Sequence, residues 1–375
     1  MMRLAILSVL ALGLAGGVAH AYPQYQLRSD QTCTSCHLSP AGGNLLNENG
    51  LIAAETHSQF GTAPEFFYGK IPTPEWLVFG GDLRGSAGYI QTPERVLAAF
   101  PMQAELYGSA TLKNFSLHAT FGNRPAQFGN ETKTRVWSRE HYLMWQQNAG
   151  GSEGLYARVG RFMPVFGLRI AEHPSYIRRF GGTSLYTDTY GVAVEYVSAR
   201  WEAHATGFIE DPLIDTVDHS RGGAAYAEVR VTPTLAVGAE GMFQRTDDDK
   251  KIRGGVTGKL YLECPDVLLL TELQFVNQLI DRTTSNPDGG APVQLVGYLG
   301  ASKNLTPSIL MDIGIGHYDS NIRVKHLDRN SLDLNLHWFT SSHVELVLNA
   351  RYEMLAFGKG GRSGAYTLMQ LHYRL

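Results

Sequence analysis

The stretch that decides the fold is residues 343–354, His-Val-Glu-Leu-Val-Leu-Asn-Ala-Arg-Tyr-Glu-Met. Every second side chain in it is apolar: Val344, Leu346, Leu348, Ala350, Tyr352 and Met354. The intervening positions are mostly polar: His343, Glu345, Val347, Asn349, Arg351 and Glu353. This alternation predicts a β-strand with one apolar and one polar face. The alternating stretch is longer than the roughly five to six residues of an ordinary strand. It reaches the roughly nine to eleven residues that a tilted strand needs to cross a membrane.

The same period-two pattern recurs from Trp76 to the last residue, and turn residues separate the segments. About sixteen strands are predicted, an even number as antiparallel barrels require: near 76–91, 99–113, 114–124, 134–147, 154–164, 187–198, 200–209, 221–232, 234–246, 251–264, 266–278, 292–304, 306–317, 328–339, 342–354 and 363–375. Short turns alternate with longer polar loops, as in bacterial outer-membrane barrels.

The sequence therefore predicts an all-β fold, an antiparallel transmembrane β-barrel over residues 75–375. The alternative is a soluble multi-sheet β protein, whose outward faces should be polar, whereas these are Leu, Val, Trp and Tyr. Glycine (41), tyrosine (18) and phenylalanine (16) are frequent, and only 18% of residues are charged. The net charge of -3 gives no reason to expect a nucleic-acid partner.

The N-terminus has the features of a signal peptide, residues 1–21. A basic start at 1–3 precedes an apolar run at 4–18, and Ala-His-Ala at 19–21 fits a signal-peptidase site, which makes Tyr22 the mature N-terminus. The alternative is a membrane anchor, for which the apolar run is short. Export beyond the inner membrane is the prediction.

Cys33-Thr34-Ser35-Cys36-His37 is a Cys-x-x-Cys-His motif, which is typical of covalent haem attachment. The two thiols add to the vinyl groups of haem, and the histidine that follows becomes an axial ligand of the iron. A redox dithiol or a zinc half-site would need a βαβ unit or a second ligand pair, and the sequence offers neither. We therefore predict one haem c on Cys33 and Cys36 with His37 as iron ligand. No role is assigned to the third cysteine, Cys264.

The other axial position stays open at this stage. His57 is the nearest candidate sixth ligand in the sequence, and a solvated surface histidine is the alternative for it. A five-coordinate iron also remains open, as does a distant ligand such as His118, His141 or His173. Residues 22–74, the monohaem cytochrome c segment, are too few for a core of their own and are expected to depend on the barrel.

The longest connection between predicted strands, residues 165–186, carries the candidate pore residues Arg169, His173, Arg178 and Arg179. Long loops in porins often fold into the lumen. We predict an inward-folded constriction lined by these side chains. The alternative is an ordinary external loop.

A signal peptide, one Cys-x-x-Cys-His motif at Cys33, Cys36 and His37, and a porin-like barrel together resemble the fused monohaem c-type cytochrome–porins of the bacterial outer membrane, a group with members implicated in iron(II) oxidation. Iron-oxidising members tend to approach the first cysteine with an Arg-Gln-Thr-Gly-like stretch, whereas residues 27–32 here read Leu-Arg-Ser-Asp-Gln-Thr. Electron transfer is therefore the broader expectation, and iron(II) is one candidate donor.

The resemblance implies electron transfer across the outer membrane through the single haem, with the haem segment as a plug on the periplasmic side or in the lumen. The implied partners are outer-membrane lipid, a periplasmic electron-carrier protein and an extracellular donor or acceptor. One alternative is a diffusion porin whose haem segment is a plug or redox gate. Another is a structural barrel in which haem only anchors the segment.

Overall fold

The structure is a computed structural model that describes residues 32–91, 94–123, 136–172, 174–184, 187–211, 220–281, 292–355 and 363–375. The predicted signal peptide and His173 lie outside these ranges. Within them, no helix is both long and apolar enough to span a membrane.

The described chain forms sixteen strands. They are β1 (Leu77–Gln91), β2 (Arg95–Leu112), β3 (Phe115–Asn123), β4 (Val136–Trp137 and His141–Gln146), β5 (Gly154–Phe162), β6 (Thr189–Val197), β7 (Trp201–Ile209), β8 (Arg221–Thr232), β9 (Leu235–Arg245), β10 (Asp249–Leu262), β11 (Val267–Asp281), β12 (Val293–Thr306), β13 (Ile309–Asp319), β14 (Asp328–Ser341), β15 (Val344–Leu355) and β16 (Ser363–Arg374).

Each strand pairs antiparallel with its neighbours in sequence, and β1 also pairs with β16, from Asp82 opposite Arg374 to Gln91 opposite Ala365. The sheet therefore closes on itself. The two pieces of β4 both pair with β3, and the Thr120 N–H donates to Glu140 O (2.7 Å) between them. The predicted all-β barrel of about sixteen antiparallel strands is confirmed.

The two faces of β14 show how the alternating pattern is used. Leu332, Leu334 and Trp338 point outward and keep 52%, 38% and 37% of their surface exposed. Asn335 and His337 point inward and are buried. An apolar outer face and a polar inner face place the hydrocarbon of a bilayer outside the barrel.

Arginine at Leu334 is expected to lower the free energy of unfolding by roughly 2–4 kcal/mol, because the site lies mid-strand on the lipid-facing side. Arginine at the inward-facing Asn335 should lower the free energy of unfolding by only about 1 kcal/mol, because the main loss there is the hydrogen bond that Asn335 accepts from Asn349. Urea unfolding in lipid vesicles, followed by tryptophan fluorescence, measures both. An equal decrease in the free energy of unfolding for the two variants would contradict the assignment of Leu334 to the lipid-facing side.

The segment 32–74 lies against one rim of the barrel. It contains a 3₁₀ turn at Cys33–Ser35, helix α1 at Glu48–His57 and a 3₁₀ turn at Phe66–Gly69. We call the rim it contacts the short-turn rim, because it carries the tight β12–β13 and β14–β15 turns.

Backbone and side-chain bonds attach the segment to this rim. The Gln59 N–H donates to Phe339 O (2.9 Å), and Ser342 Oγ donates to Thr62 O (2.7 Å). The His343 ring contacts Ala63 O at 2.7 Å through Nε2. The segment is thus attached to the barrel itself and has no separate core.

The β5–β6 connection starts at the opposite rim and turns into the lumen, where it contains the short helix α2 (Tyr176–Arg179). Its apolar side chains pack against inward side chains of β9 and β11–β13 in one buried cluster: Leu168, Ile170, Tyr176, Ile177, Ala236, Leu268, Leu270, Val276, Val296 and Tyr318. The inner wall here is apolar, unlike the polar lumen expected from the alternation, because the loop covers it.

Candidate functional site

The Cys33–His37 turn is fixed by backbone hydrogen bonds. The His37 N–H donates to Cys33 O (2.9 Å), and the Asn47 N–H donates to Cys36 O (3.0 Å). An isolated antiparallel bridge joins His37 to Leu46. The 3₁₀ turn thus sets the two cysteines and the histidine in one rigid loop.

Helix α1 supports this loop through close backbone packing. Asn47 caps the helix by accepting from the Gly50 N–H (3.0 Å), and its side-chain amide donates to Thr34 O (3.0 Å). A Cβ atom at Gly50 would lie 2.2 Å from Cys36 O. Only glycine lets the helix approach the cysteine turn this closely, despite its cost of about 1 kcal/mol in a helix.

The cysteine turn faces a cavity of about 740 Å³ inside the barrel. Cys33, Cys36 and His37 line it on the segment side, and Met163, Phe166 and Leu168 line it on the side of the β5–β6 loop. Arginine side chains also border the cavity: Arg84, Arg139, Arg158, Arg169 and Arg178. The volume lies within the range of roughly 300–1,000 Å³ that ligand sites occupy.

The residues on this wall fit a haem c. The group needs two thiols, an axial imidazole, apolar surroundings and cations for its two propionates. Cys33, Cys36 and His37 supply the first two requirements, and the loop supplies apolar side chains. Arg178 donates to two uncharged acceptors, the carbonyls of Thr183 (2.7 Å) and Ile170 (2.6 Å), so its positive charge could balance a propionate.

The surroundings of the two thiols change how readily they ionise. Burial raises the pKa of Cys33, an effect that Arg169 partly offsets, and burial raises the pKa of Cys36 to about 11. Both groups are therefore neutral thiols at pH 7.

The structure brings some of the predicted constriction residues to the cysteine turn. Arg169 donates to Pro40 O (3.1 Å) and forms an ion pair with Glu202 of β7. Arg178 lines the same cavity, whereas Arg179 is exposed and lies 5.2 Å from the ring of Phe180. His173, the fourth of them, lies outside the described residues.

Three of the four candidate distal ligands, those that lie within the described residues, are not on the cavity wall. His57 ends α1, is buried, and its Nδ1 lies 2.9 Å from Pro307 O in the β12–β13 turn. His118 contacts Ser116 (2.8 Å) and stacks on Tyr142, while His141 contacts Tyr190 (2.8 Å). The geometry therefore gives no support to these three as partners of His37.

A chain of hydrogen bonds along the inner wall was not foreseen from the sequence. His372 of β16 contacts Asp82 (2.7 Å) and Glu345 (2.8 Å), and Glu345 contacts His337 (2.8 Å). Alternation already put these side chains on the polar faces of their strands. Their pairing depends on register, which the pattern does not specify.

A closed antiparallel barrel of sixteen strands, apolar outside and charged inside, defines the porin-like class of outer-membrane barrels. No protein-family model matches the chain, and no curated protein sequence matches it. The matches that are found are to solved structures.

The chain resembles OmpT of Vibrio cholerae with a TM-score of 0.60 and 12% identity, over 82% of this chain and 100% of OmpT. It resembles an anion-selective porin from Comamonas acidovorans with a TM-score of 0.58 and 12% identity, over 80% and 99%. It resembles OprB of Pseudomonas putida with a TM-score of 0.58 and 9% identity, over 80% and 94%. At these identities the likeness shows the fold.

Proposed function

We propose that this chain is a plugged outer-membrane barrel that transfers electrons through one c-type haem held in its lumen. The observation that carries the proposal is the position of Cys33, Cys36 and His37 on the wall of the 740 Å³ cavity. The Cys-x-x-Cys-His motif of this short segment faces a cavity inside the barrel, and this position supports a haem site there. An extracellular donor or acceptor, with iron(II) as one candidate, and a periplasmic electron carrier are the proposed partners.

Each part of the chain has a task in this proposal. Cys33 and Cys36 would hold the haem through thioether bonds, and His37 would ligate the iron. When bound, the haem supplies a one-electron redox centre. The loop side chains Phe166 and Leu168 exclude water from the cavity, and the Arg169–Glu202 ion pair positions the loop against the segment. Burial in surroundings of low polarity is one of the means by which a protein sets the redox potential of a haem.

The position of a haem in the lumen would matter for electron transfer because of the distance between the two rims. The apolar band of such a barrel is about 25 Å tall. A redox centre between the two rims divides that distance into shorter steps. A haem outside the barrel would leave the whole distance to be crossed.

The second candidate is a diffusion porin in which residues 32–74 act as a plug or redox gate. The likeness to porins supports it more directly than it supports electron transfer, because the anion-selective porin shares the fold over 80% of this chain. In the described structure, however, the segment lies against one rim and the β5–β6 loop enters the lumen from the other. This arrangement favours a barrel that is closed to diffusion.

Liposomes that enclose an impermeant redox dye separate the two candidates. With an impermeant reductant outside, the full-length protein is expected to reduce the dye without leakage of an enclosed sugar. A variant with His37→Gly should still insert but reduce the dye more slowly, since the iron loses a ligand. Sugar leakage together with equal dye reduction by both proteins would favour the porin and overturn the electron-transfer proposal.

A further inference from the structure

Three side chains with metal-binding atoms meet in the lumen away from the cysteine turn. Glu172 comes from the β5–β6 loop, Asp312 from β13 and His337 from β14, and their donor atoms all lie within 4.8 Å of one another. His337 Nε2 is 3.7 Å from Glu172 Oε1 and 3.5 Å from Asp312 Oδ2. We call these three residues the lumen triad.

The distances suit a shared ion better than direct bonds. A hydrogen bond between a ring nitrogen and a carboxylate spans about 2.7–3.2 Å, and both separations are longer. Ligands about 2.1 Å from a common metal can lie up to roughly 4.2 Å apart. Asp312 Oδ2 is buried and receives no hydrogen bond from the described residues. A buried carboxylate oxygen of this kind is costly unless a cation satisfies it.

The surroundings of His337 also match a metal ligand. Its Nδ1 contacts Glu345 Oε1 at 2.8 Å, which directs Nε2 toward the two carboxylates. Metal-bound histidines usually give their other ring nitrogen to a carboxylate in this way. Glu345 is itself held by His372, which contacts Asp82. This chain of hydrogen bonds thus fixes the orientation of the His337 ring from its Nδ1 side.

The lumen triad adjoins the cavity described above. Ala171, the residue before Glu172, lines that cavity, and so does Asp82 at the far end of the hydrogen-bonded chain. One imidazole with two carboxylates is a mixed nitrogen and oxygen set that suits manganese(II), iron(II) or zinc(II).

We propose that the lumen triad binds one divalent first-row transition cation, with Glu172, Asp312 and His337 as its protein ligands. The proposal goes beyond electron transfer and needs no haem. The competing explanation is a protonated His337 that neutralises the two carboxylates without any metal. The two differ in whether the purified protein binds a cation stoichiometrically.

The test uses the full-length protein in detergent, stripped with a chelator and titrated with manganese(II). Loss of the free-ion electron paramagnetic resonance signal counts the bound metal. We expect one manganese(II) ion to bind per chain. Glu172→Gln and Asp312→Asn should each weaken this binding at least tenfold. Glu345→Gln, which acts through His337, should weaken it about 10–100-fold.

Asp333→Asn is the matched control, because Asp333 faces the lumen from the same strand as His337 but is paired with Arg351 at 3.0 Å. It should bind manganese(II) like the unmodified protein. Circular dichroism and heat-modified gel mobility show whether each variant is folded, and Glu172→Gln alters only the loop. The proposal would be overturned if the full-length protein bound no manganese(II). It would also be overturned if folded Glu172→Gln and Asp312→Asn proteins both bound manganese(II) as tightly as the unmodified protein. Neither result would bear on the proposed haem.

Discussion

Replacing both Cys33 and Cys36 with serine is expected to abolish covalent haem while the barrel still folds. The two thiols are the proposed attachment points, and among the described residues no other cysteine lies on the cavity wall. The hydrogen bonds that hold the segment in place, such as Asn47 to Thr34 O, do not use the sulfur atoms. The loss should therefore be complete without loss of fold.

Haem staining after denaturing electrophoresis measures this effect, and the intact mass of the chain confirms it. Cys264→Ser is the control, because Cys264 is exposed in the β10–β11 turn. That variant should keep its full haem signal. Normal covalent haem on the double variant would show that the motif has been assigned wrongly.

Deleting residues 22–74 is expected to leave a barrel that still inserts and conducts ions several-fold more freely. A barrel of about sixteen strands has an interior wide enough for an aqueous channel. The segment lies across one end of it, where Gln59, Thr62 and Ala63 are hydrogen-bonded to the short-turn rim. The strands pair with each other and need none of these contacts to close.

Single-channel recording in planar bilayers measures the conductance. The double serine variant is the control, since it keeps the polypeptide plug but lacks the haem. Low conductance in that control and high conductance in the deletion would assign the block to the polypeptide. If the deletion conducts no better than the full chain, the β5–β6 loop alone closes the lumen.

The strands could be predicted because lipid outside and polar groups inside impose a strict period of two. The clearest misses have local causes. Strand β2 begins at Arg95 rather than near 99, because the apolar run at 96–100 conceals the alternation. Strand β4 is interrupted at 138–140, where the Arg161 guanidinium takes the Ser138 carbonyl (2.9 Å) as its acceptor.

The candidate site was predictable only in part. Cys33, Cys36 and His37 lie within five consecutive residues, so their spacing alone suggests a chemistry for them. The lumen triad joins a loop to two strands, with Glu172 far from Asp312 and His337 in sequence. Such a site depends on strand register and on the path of the loop, and neither follows from alternation.

The seam between β1 and β16 has a consequence for the order of folding. The His372–Asp82 bond crosses it and joins residues 290 positions apart. Contacts of such long range carry the largest loop-closure entropy and tend to form late. The bonds that fix His337 from behind are therefore complete only in the closed barrel. An assembly intermediate with an open seam would hold the imidazole of His337 loosely, so tight cation binding at the proposed site would mark the end of barrel assembly.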